Sequence, residues 1–262
     1  MIYFAIILFI LGAIVGSFLN VVIARLGTGM KISRGRSKCF SCGHTLVWYD
    51  LFPFFSFMFL RGRCRYCGSS ISRRYFVVEL VTAVLFSLGA AFGIPKAAPD
   101  FVFLFLSLVI ISFFVAIAFY DIRHKIIPDS LSYGVAAIAL AFSVFSIFEG
   151  SSSWWRLLDG FIIAAPFAFF WLVSRGQWMG LGDAKLALSI GWWLGIFGAG
   201  GAIILSIFSG AAVGIVILIA EKMRLGKVKW GKHEIPFGPF LIIGALAAHF
   251  LGITIWTFLG YN

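Results

Sequence analysis

Asp183 closes the stretch Gly180-Leu181-Gly182-Asp183, with Ala184 and Lys185 behind it, between two strongly apolar segments. An acid at the edge of a bilayer is costly to desolvate and marks a functional site by default, so a carboxylate partner is expected. Asp121, which ends the apolar run 101–120, is the candidate. Two carboxyl groups in contact cannot both ionise at neutral pH; they hold a proton in common, one acting as base while the other acts as acid. Such a dyad suits the activation of water for peptide hydrolysis.

A second set of chemically capable residues lies nearer the start of the chain. Cys39 and Cys42 form one Cys-x-x-Cys pair, Cys64 and Cys67 another, with 21 residues between them and Gly43 and Gly68 just after. Paired knuckles of this kind present four thiolates tetrahedrally to zinc, although the gap slightly exceeds the common range of about 15 to 20 residues. Two disulfides are the alternative, disfavoured if the segment faces a reducing compartment. Four cysteines already fill the shell, so His44 is read as a solvated neighbour.

The elements that must position these groups follow from composition. With 61% hydrophobic and 12% charged residues and a mean hydropathy of +1.04, the chain departs from a soluble domain, where roughly half apolar and a quarter charged is usual. The expectation is an all-α polytopic membrane protein with about eight transmembrane helices, drawn at residues 2–23, 76–94, 101–120, 130–148, 160–173, 185–197, 202–220 and 240–258. Residues 1–23 lack a basic start and a small-residue cleavage site, and read as a retained span rather than a signal peptide. A net charge of +11 could suggest nucleic acid, but its distribution argues for orientation: with eight spans, all of the 21 Lys and Arg except Lys96 and Arg156 fall on one side. The positive-inside rule places that side in the cytoplasm and both termini outside, with no nucleic-acid partner. Asp121 and Asp183 then share the cytoplasmic face.

Other residues carry weaker signals. Gly12 and Gly16 let the first helix approach a neighbour closely, and Asn20 near its end needs a partner. Glu79, about one turn inside the second apolar segment, reads as an ion pair with Arg73 or Arg74, with a binding role open. Residues 51–60 are almost wholly apolar but too short to span; they form either the core of the cysteine module or a surface against lipid, where the arginines around them favour anionic headgroups. Asp129, after Pro128, competes with Asp121 for the catalytic role. At a helix start its charge caps free amides, whereas Asp121 sits at a helix C-terminus where charge is disfavoured, so Asp121 is taken as catalytic and Asp129 as structural. The run Gly198 to Gly201 reads as a tight outer turn. Pro236 and Pro239 flank Gly238 at a helix start and leave peptide groups that could hold an extended substrate beside the aspartates, as could Gly180 and Gly182.

Taken together, residues 16–21, the double Cys-x-x-Cys module, Arg74-Tyr75 with Glu79, Asp121 with Pro128-Asp129, residues 180–185 and residues 236–241 resemble the bacterial type IV prepilin peptidases, membrane aspartic proteases of the Gly-x-Gly-Asp class. The resemblance covers nearly the whole chain. It implies a first transmembrane helix over residues 1–24, a cytoplasmic zinc module over 25–75 and a peptidase bundle over 76–262, in a bacterial inner membrane. It implies cleavage, by Asp121 and Asp183, of the short basic leader of type IV prepilins or pseudopilins after a glycine. In most members it also implies methylation of the new N-terminal residue with S-adenosylmethionine, for which Glu79 and Asn20 are the candidates. A runner-up reading is an ion-coupled transporter or channel whose aspartates carry ions and whose zinc module binds a partner. A zinc-dependent hydrolase would need an open metal position, which four cysteines do not leave.

Overall fold

The computed structural model describes residues 2–32, 35–92, 97–225 and 236–260. Among these, the regular elements are helices, with two isolated β-bridges and no strand. In chain order the α-helices are α1 (Ile2–Arg25), α2 (Phe55–Phe59), α3 (Arg73–Leu88), α4 (Ala98–His124), α5 (Asp129–Phe148), α6 (Arg156–Ser174), α7 (Leu181–Leu225), α8 (Gly238–Leu251) and α9 (Ile255–Phe258). Short 3-10 turns lie at Trp48–Leu51 and Gly89–Phe92. Five helices, α1 and α4 to α7, are long and apolar enough to cross a membrane; α3 and α8, at 16 and 14 residues, are shorter. The basic segment 226–235 lies outside the described residues.

The chain forms two compact units, Met1–Leu104 and Phe105–Asn262. In the first, α1 packs along α3 through the glycines expected to do so. A β-carbon on Gly12 would lie 2.7 Å from the Ala83 Cα, and one on Gly16 2.7 Å from the Glu79 Cα. Alanine at either position would push the helices apart. In the second unit α7 is central, packing against α5, α6 and α8. Phe114, Ile117, Leu186, Ile190, Trp193 and Leu241 are fully or almost fully enclosed there.

Several helix boundaries differ from expectation, three of them with a visible cause or consequence. The run Gly198 to Gly201 is helical rather than a turn, and the break between the two arms of α7 falls at Gly195, whose φ of 73° and ψ of 171° lie outside any helix. The break is held by α6. Asp159 Oδ2 accepts from the Ile196 N–H at 3.2 Å, and Arg156 Nη2 donates to the Trp193 carbonyl at 3.0 Å, so one side chain serves the freed amide and the other the freed carbonyl. The last expected span, 240–258, is divided: Gly252 takes a left-handed φ of 65° and ends α8, its successor Ile253 donating back to Ala248 O. The span expected from residue 160 begins earlier, since α6 starts at Arg156.

Candidate active site

Asp121 lies in the last turn of α4 and is only 4% exposed. Just beyond it Lys125, at φ 54°, donates its N–H to Asp121 O at 2.7 Å and turns the chain out of the helix. Ile126, Ile127 and Pro128 then lead into α5. Proline fits there because the residue before a helix has no intrahelical N–H bond to lose. Asp183 is the third residue of α7 and is 8% exposed.

These two acids, 62 positions apart in the chain, are brought together by backbone placed where no side chain fits. Their carboxyl groups are close enough for their charges to interact. Asp121 faces the backbone N–H of Gly238 at the start of α8, and Asp183 faces that of Gly180. A β-carbon on Gly238 would lie 2.6 Å from Asp121 Oδ2 and 3.1 Å from Ile127 Cδ1, and one on Gly182 would lie 2.8 Å from Ile127 Cβ. Glycine at 182 and 238 therefore lets the α7 and α8 helix starts close around Ile127 and the Asp121 carboxylate. Ile127 is a site residue that the sequence reading passed over; an apolar side chain before a proline carries no chemical signal. Two nearly buried carboxyl groups, each beside a peptide N–H that can stabilise its charge, have the composition of a proton-sharing pair able to activate water.

Asp129 is placed differently. It is the first residue of α5 rather than its cap, a place taken by Pro128, and no side-chain cap bond is made. Its carboxylate instead takes Lys185 Nζ at 2.6 Å, with 69% of the Asp129 side chain exposed, while the same ammonium lies 4.7 Å over the Tyr133 ring. Asp129 is thus engaged by a cation where Asp121 is engaged by an acid. The two prolines also behave differently from expectation. Pro239 occupies the first turn of α8, where a missing N–H costs nothing, and Phe240 and Leu241 both donate to Phe237 O. The Gly238 amide is turned to Asp121 rather than to open space. Pro236 is half-buried beside it.

In the first unit the four cysteines converge. Their sulfurs all lie within 4.8 Å of one another, with Cys39 Sγ and Cys67 Sγ 3.8 Å apart. A zinc ion with Zn–S bonds of about 2.3 Å in tetrahedral geometry requires sulfurs roughly 3.8 Å apart. The two knuckles repeat each other. Gly43 N–H donates to Cys39 O and Gly68 N–H to Cys64 O, both at 2.9 Å, and bridges Lys38 to Thr45 and Arg63 to Ser70 close the loops. Gly43 and Gly68, at φ 70° and 71°, make the turns that this needs. The Cys39 thiol is pulled from 9.0 down to about 6, first by the Cys42 N–H, then by that of Ser41 and by the Ser69 hydroxyl. At Cys42 the His44 N–H pulls the same way but is outweighed by burial and the Cys67 and Cys39 thiols, which push that thiol up to about 11; the cluster thus favours a thiolate at Cys39 first. All four are free thiols, and His44 stacks on Tyr66 with ring centroids 3.6 Å apart instead of joining them. The residues present fit a tetrahedral zinc ion.

Asn20 and Glu79 both sit on the α1 and α3 contact, but their partners are backbone groups. Asn20 Nδ2 donates to Tyr75 O at 3.0 Å, and its Oδ1 is buried without a partner among the described residues. Glu79 Oε2 accepts from the Phe54 N–H at 3.1 Å, with Ser17 also in reach, in place of the expected Arg73 or Arg74 ion pair. Arg74 is five residues before Glu79, which puts the two on different faces of the helix, and its guanidinium lies 5.5 Å over the Tyr75 ring.

Residues 10–92 match the family model of the bacterial peptidase A24 N-terminal domain, and residues 108–215 match that of the type IV leader peptidase family. A prepilin leader peptidase/N-methyltransferase of Myxococcus xanthus is 39% identical over 231 residues, covering 83% of this chain and 64% of its own length. One from Bacillus subtilis is 33% identical over 255 residues, 96% of each chain, and one from Burkholderia pseudomallei is 30% identical over 278 residues, 96% of this chain and 86% of its own. No solved structure matches.

Proposed function

The chain belongs to the type IV leader peptidase family, and on that premise we propose that it cleaves the basic leader of type IV prepilins or pseudopilins after a glycine with Asp121 and Asp183 as the catalytic pair, and methylates the new N-terminus. The observation that carries the peptidase half is the meeting of two nearly buried carboxyl groups from α4 and α7, each facing a peptide N–H. One acid takes a proton from the attacking water while the other gives one to the leaving amine, and the roles reverse for the next turnover. Of the residues expected to hold the substrate, Gly182 and Gly238 are packed against Ile127 and Asp121 and Pro239 is buried, so their part is to close the pair; Gly180, exposed, and Pro236, half-buried, are the ones proposed to meet an extended strand. The relatives reported above are named as peptidases and methyltransferases, and none of them as a carrier.

The protein is a multi-pass inner-membrane protein. In the proposed topology it crosses eight times, by α1, α3, α4, α5, α6, the two arms of α7 and α8, because a 45-residue helix broken at Gly195 is about twice the length that one crossing needs. Both termini lie outside, and the aspartates and the cysteine module lie on the cytoplasmic side that receives the basic connections.

Zinc on Cys39, Cys42, Cys64 and Cys67 would lock the two knuckles together and take no part in the chemistry. For methylation, the buried, unpartnered Asn20 Oδ1 and the Glu79 carboxylate supply acceptors suited to the cationic groups of S-adenosylmethionine. When bound, that group supplies an electrophilic methyl; the chain's part is to hold it and the new N-terminus at the α1 and α3 contact.

Incubating the purified full-length protein with a prepilin and labelled methyl donor, then sequencing the product, tests both halves. Asp121→Asn or Asp183→Asn should lower cleavage by roughly 10³-fold or more while leaving insertion intact. Substantial cleavage by either variant would remove the dyad.

A further inference from the structure

Residues 51–60 belong to the cysteine module by sequence, yet their centre is fixed far from it. The Phe54 N–H is held by Glu79, whose Cα lies against Gly16. Gly16 is nine residues before Arg25 at the end of α1, and Glu79 six after Arg73 at the start of α3. At about 1.5 Å per residue, the tip of this segment lies roughly 9 to 13 Å beyond the basic helix ends, inside the apolar part of both helices. Phe54 packs against Phe9 and Phe76, and Phe57 against Phe76.

The backbone of the segment suits such a depth. Its tip is a three-residue turn in which Phe54 takes a φ of 59° and Phe55 N–H donates to Pro53 O at 2.7 Å. Pro53 has no N–H to satisfy, and the amides of residues 54–56, 58 and 60–63 all have acceptors in the chain. Irregular backbone is tolerated at membrane depth only when its polar groups are satisfied in this way. The feet of the loop are clasped together: Arg65 Nε donates to Asp50 Oδ1 at 2.8 Å and the Tyr66 hydroxyl to Asp50 Oδ2 at 3.3 Å.

While Phe54 and Phe57 turn inward, Leu51, Phe52, Phe55, Met58 and Phe59 are exposed, Phe59 by 82%, and Phe55, Met58 and Phe59 share one face of α2. That face ends at a groove of about 570 Å³ lined in part by Phe59, Arg61, Arg63 and Arg65. Apolar side chains at hydrocarbon depth, with guanidinium groups where the loop leaves it, match the layering of one leaflet.

We propose that residues 51–60 form a re-entrant anchor that seats the cysteine module in the bilayer, with Leu51, Phe52, Phe55, Met58 and Phe59 among acyl chains and Arg61 and Arg63 at the anionic phosphate layer. The anchor ties the metal module to the α1 and α3 contact through the Phe54 to Glu79 hydrogen bond and the ring contacts with Phe9 and Phe76, and it holds whether or not the peptidase assignment does.

The test uses full-length protein in nanodiscs of mixed phosphatidylglycerol and phosphatidylcholine, with benzoylphenylalanine in place of Phe55, Phe59 or, as control, Phe40 on the first knuckle, which is as bare as Phe59 and barer than Phe55. Each replacement keeps a phenyl ring at an exposed position, and circular dichroism matched to the parent protein establishes folding. After irradiation, lipid adducts on acyl carbons should be severalfold more abundant at 55 and 59 than at 40. Equal yields at the three positions, or crosslinks from 55 and 59 to a second copy of the chain, would overturn the anchor. The double variant Arg61→Gln/Arg63→Gln should lose the excess of phosphatidylglycerol over phosphatidylcholine among retained lipids; an unchanged ratio overturns the headgroup assignment.

Discussion

The cysteine module and the aspartate pair are built by opposite means. Each knuckle is closed by hydrogen bonds inside eight residues, Cys39 to His44 and Cys64 to Ser69, so the turn that sets each cysteine pair is specified locally. The aspartate pair has no local element. It depends on the end of α4, the turn at Ile127, the start of α7 and the start of α8, and these converge only because Gly182 and Gly238 leave room. A local site should fail by losing its ligand, whereas a site assembled at long range should fail by small misplacements that leave the fold standing.

The sharpest way to break that contrast is Gly238→Ala. The added methyl would lie 2.6 Å from Asp121 Oδ2, too near for either atom to stay in place. Leader cleavage is expected to fall on the order of tenfold to a hundredfold, with zinc content and insertion unchanged, since misplacing a reacting group by about 1 Å has that effect. Wild-type cleavage in this variant would mean the closeness is unimportant to catalysis. Cys39→Ser is the converse experiment. Zinc measured by mass spectrometry of the purified protein should drop well below one per chain, and the segment around residues 35–72 should become the first site of limited proteolysis. Cleavage should fall less than in Gly238→Ala.

The same contrast explains what could be read from the sequence. The four cysteines were legible because metal geometry fixes their spacing, and the tight turns after them demand glycine. Asp121 and Asp183 were legible as isolated acids in apolar surroundings, which are too costly to be incidental. Ile127 was not, because an isoleucine in an apolar protein is chemically silent. The break in α7 was misplaced since hydropathy and glycine content mark Gly198 to Gly201 more strongly than Gly195, while the groups that hold the break, Arg156 and Asp159, come from another helix. Glu79 was given the wrong partner for a related reason: its hydrogen bond comes from Phe54, 25 residues earlier, and no local pattern shows that contact.

The α7 break offers a test of intermediate size. Asp159→Ala would leave the Ile196 N–H without its acceptor and Arg156 without its counter-charge. The loss should be about 1 to 2 kcal/mol, as for a deleted helix cap, and Asp159→Asn should recover much of it because the amide oxygen can still accept. Thermal unfolding followed by circular dichroism in detergent would show both changes, and equal destabilisation by the two variants would mean that the hydrogen bond to Ile196 is not what Asp159 contributes.

The smallest effect is expected at Asp129, and it separates the two acids of the α4 to α5 connection most cleanly. Its carboxylate is well exposed and among the described residues meets the Lys185 ammonium, so the pair is worth at most about 1 kcal/mol and weakens as salt screens it. Asp129→Asn should keep cleavage within a few-fold of wild type, and the difference should shrink further in high salt. Asp121→Asn, eight residues earlier, should show no such recovery, because a nearly buried group facing another carboxyl is beyond the reach of mobile ions. If Asp129→Asn abolished cleavage at every ionic strength, the ion pair with Lys185 would not be its main role, and the catalytic role given to Asp121 would have to pass to Asp129.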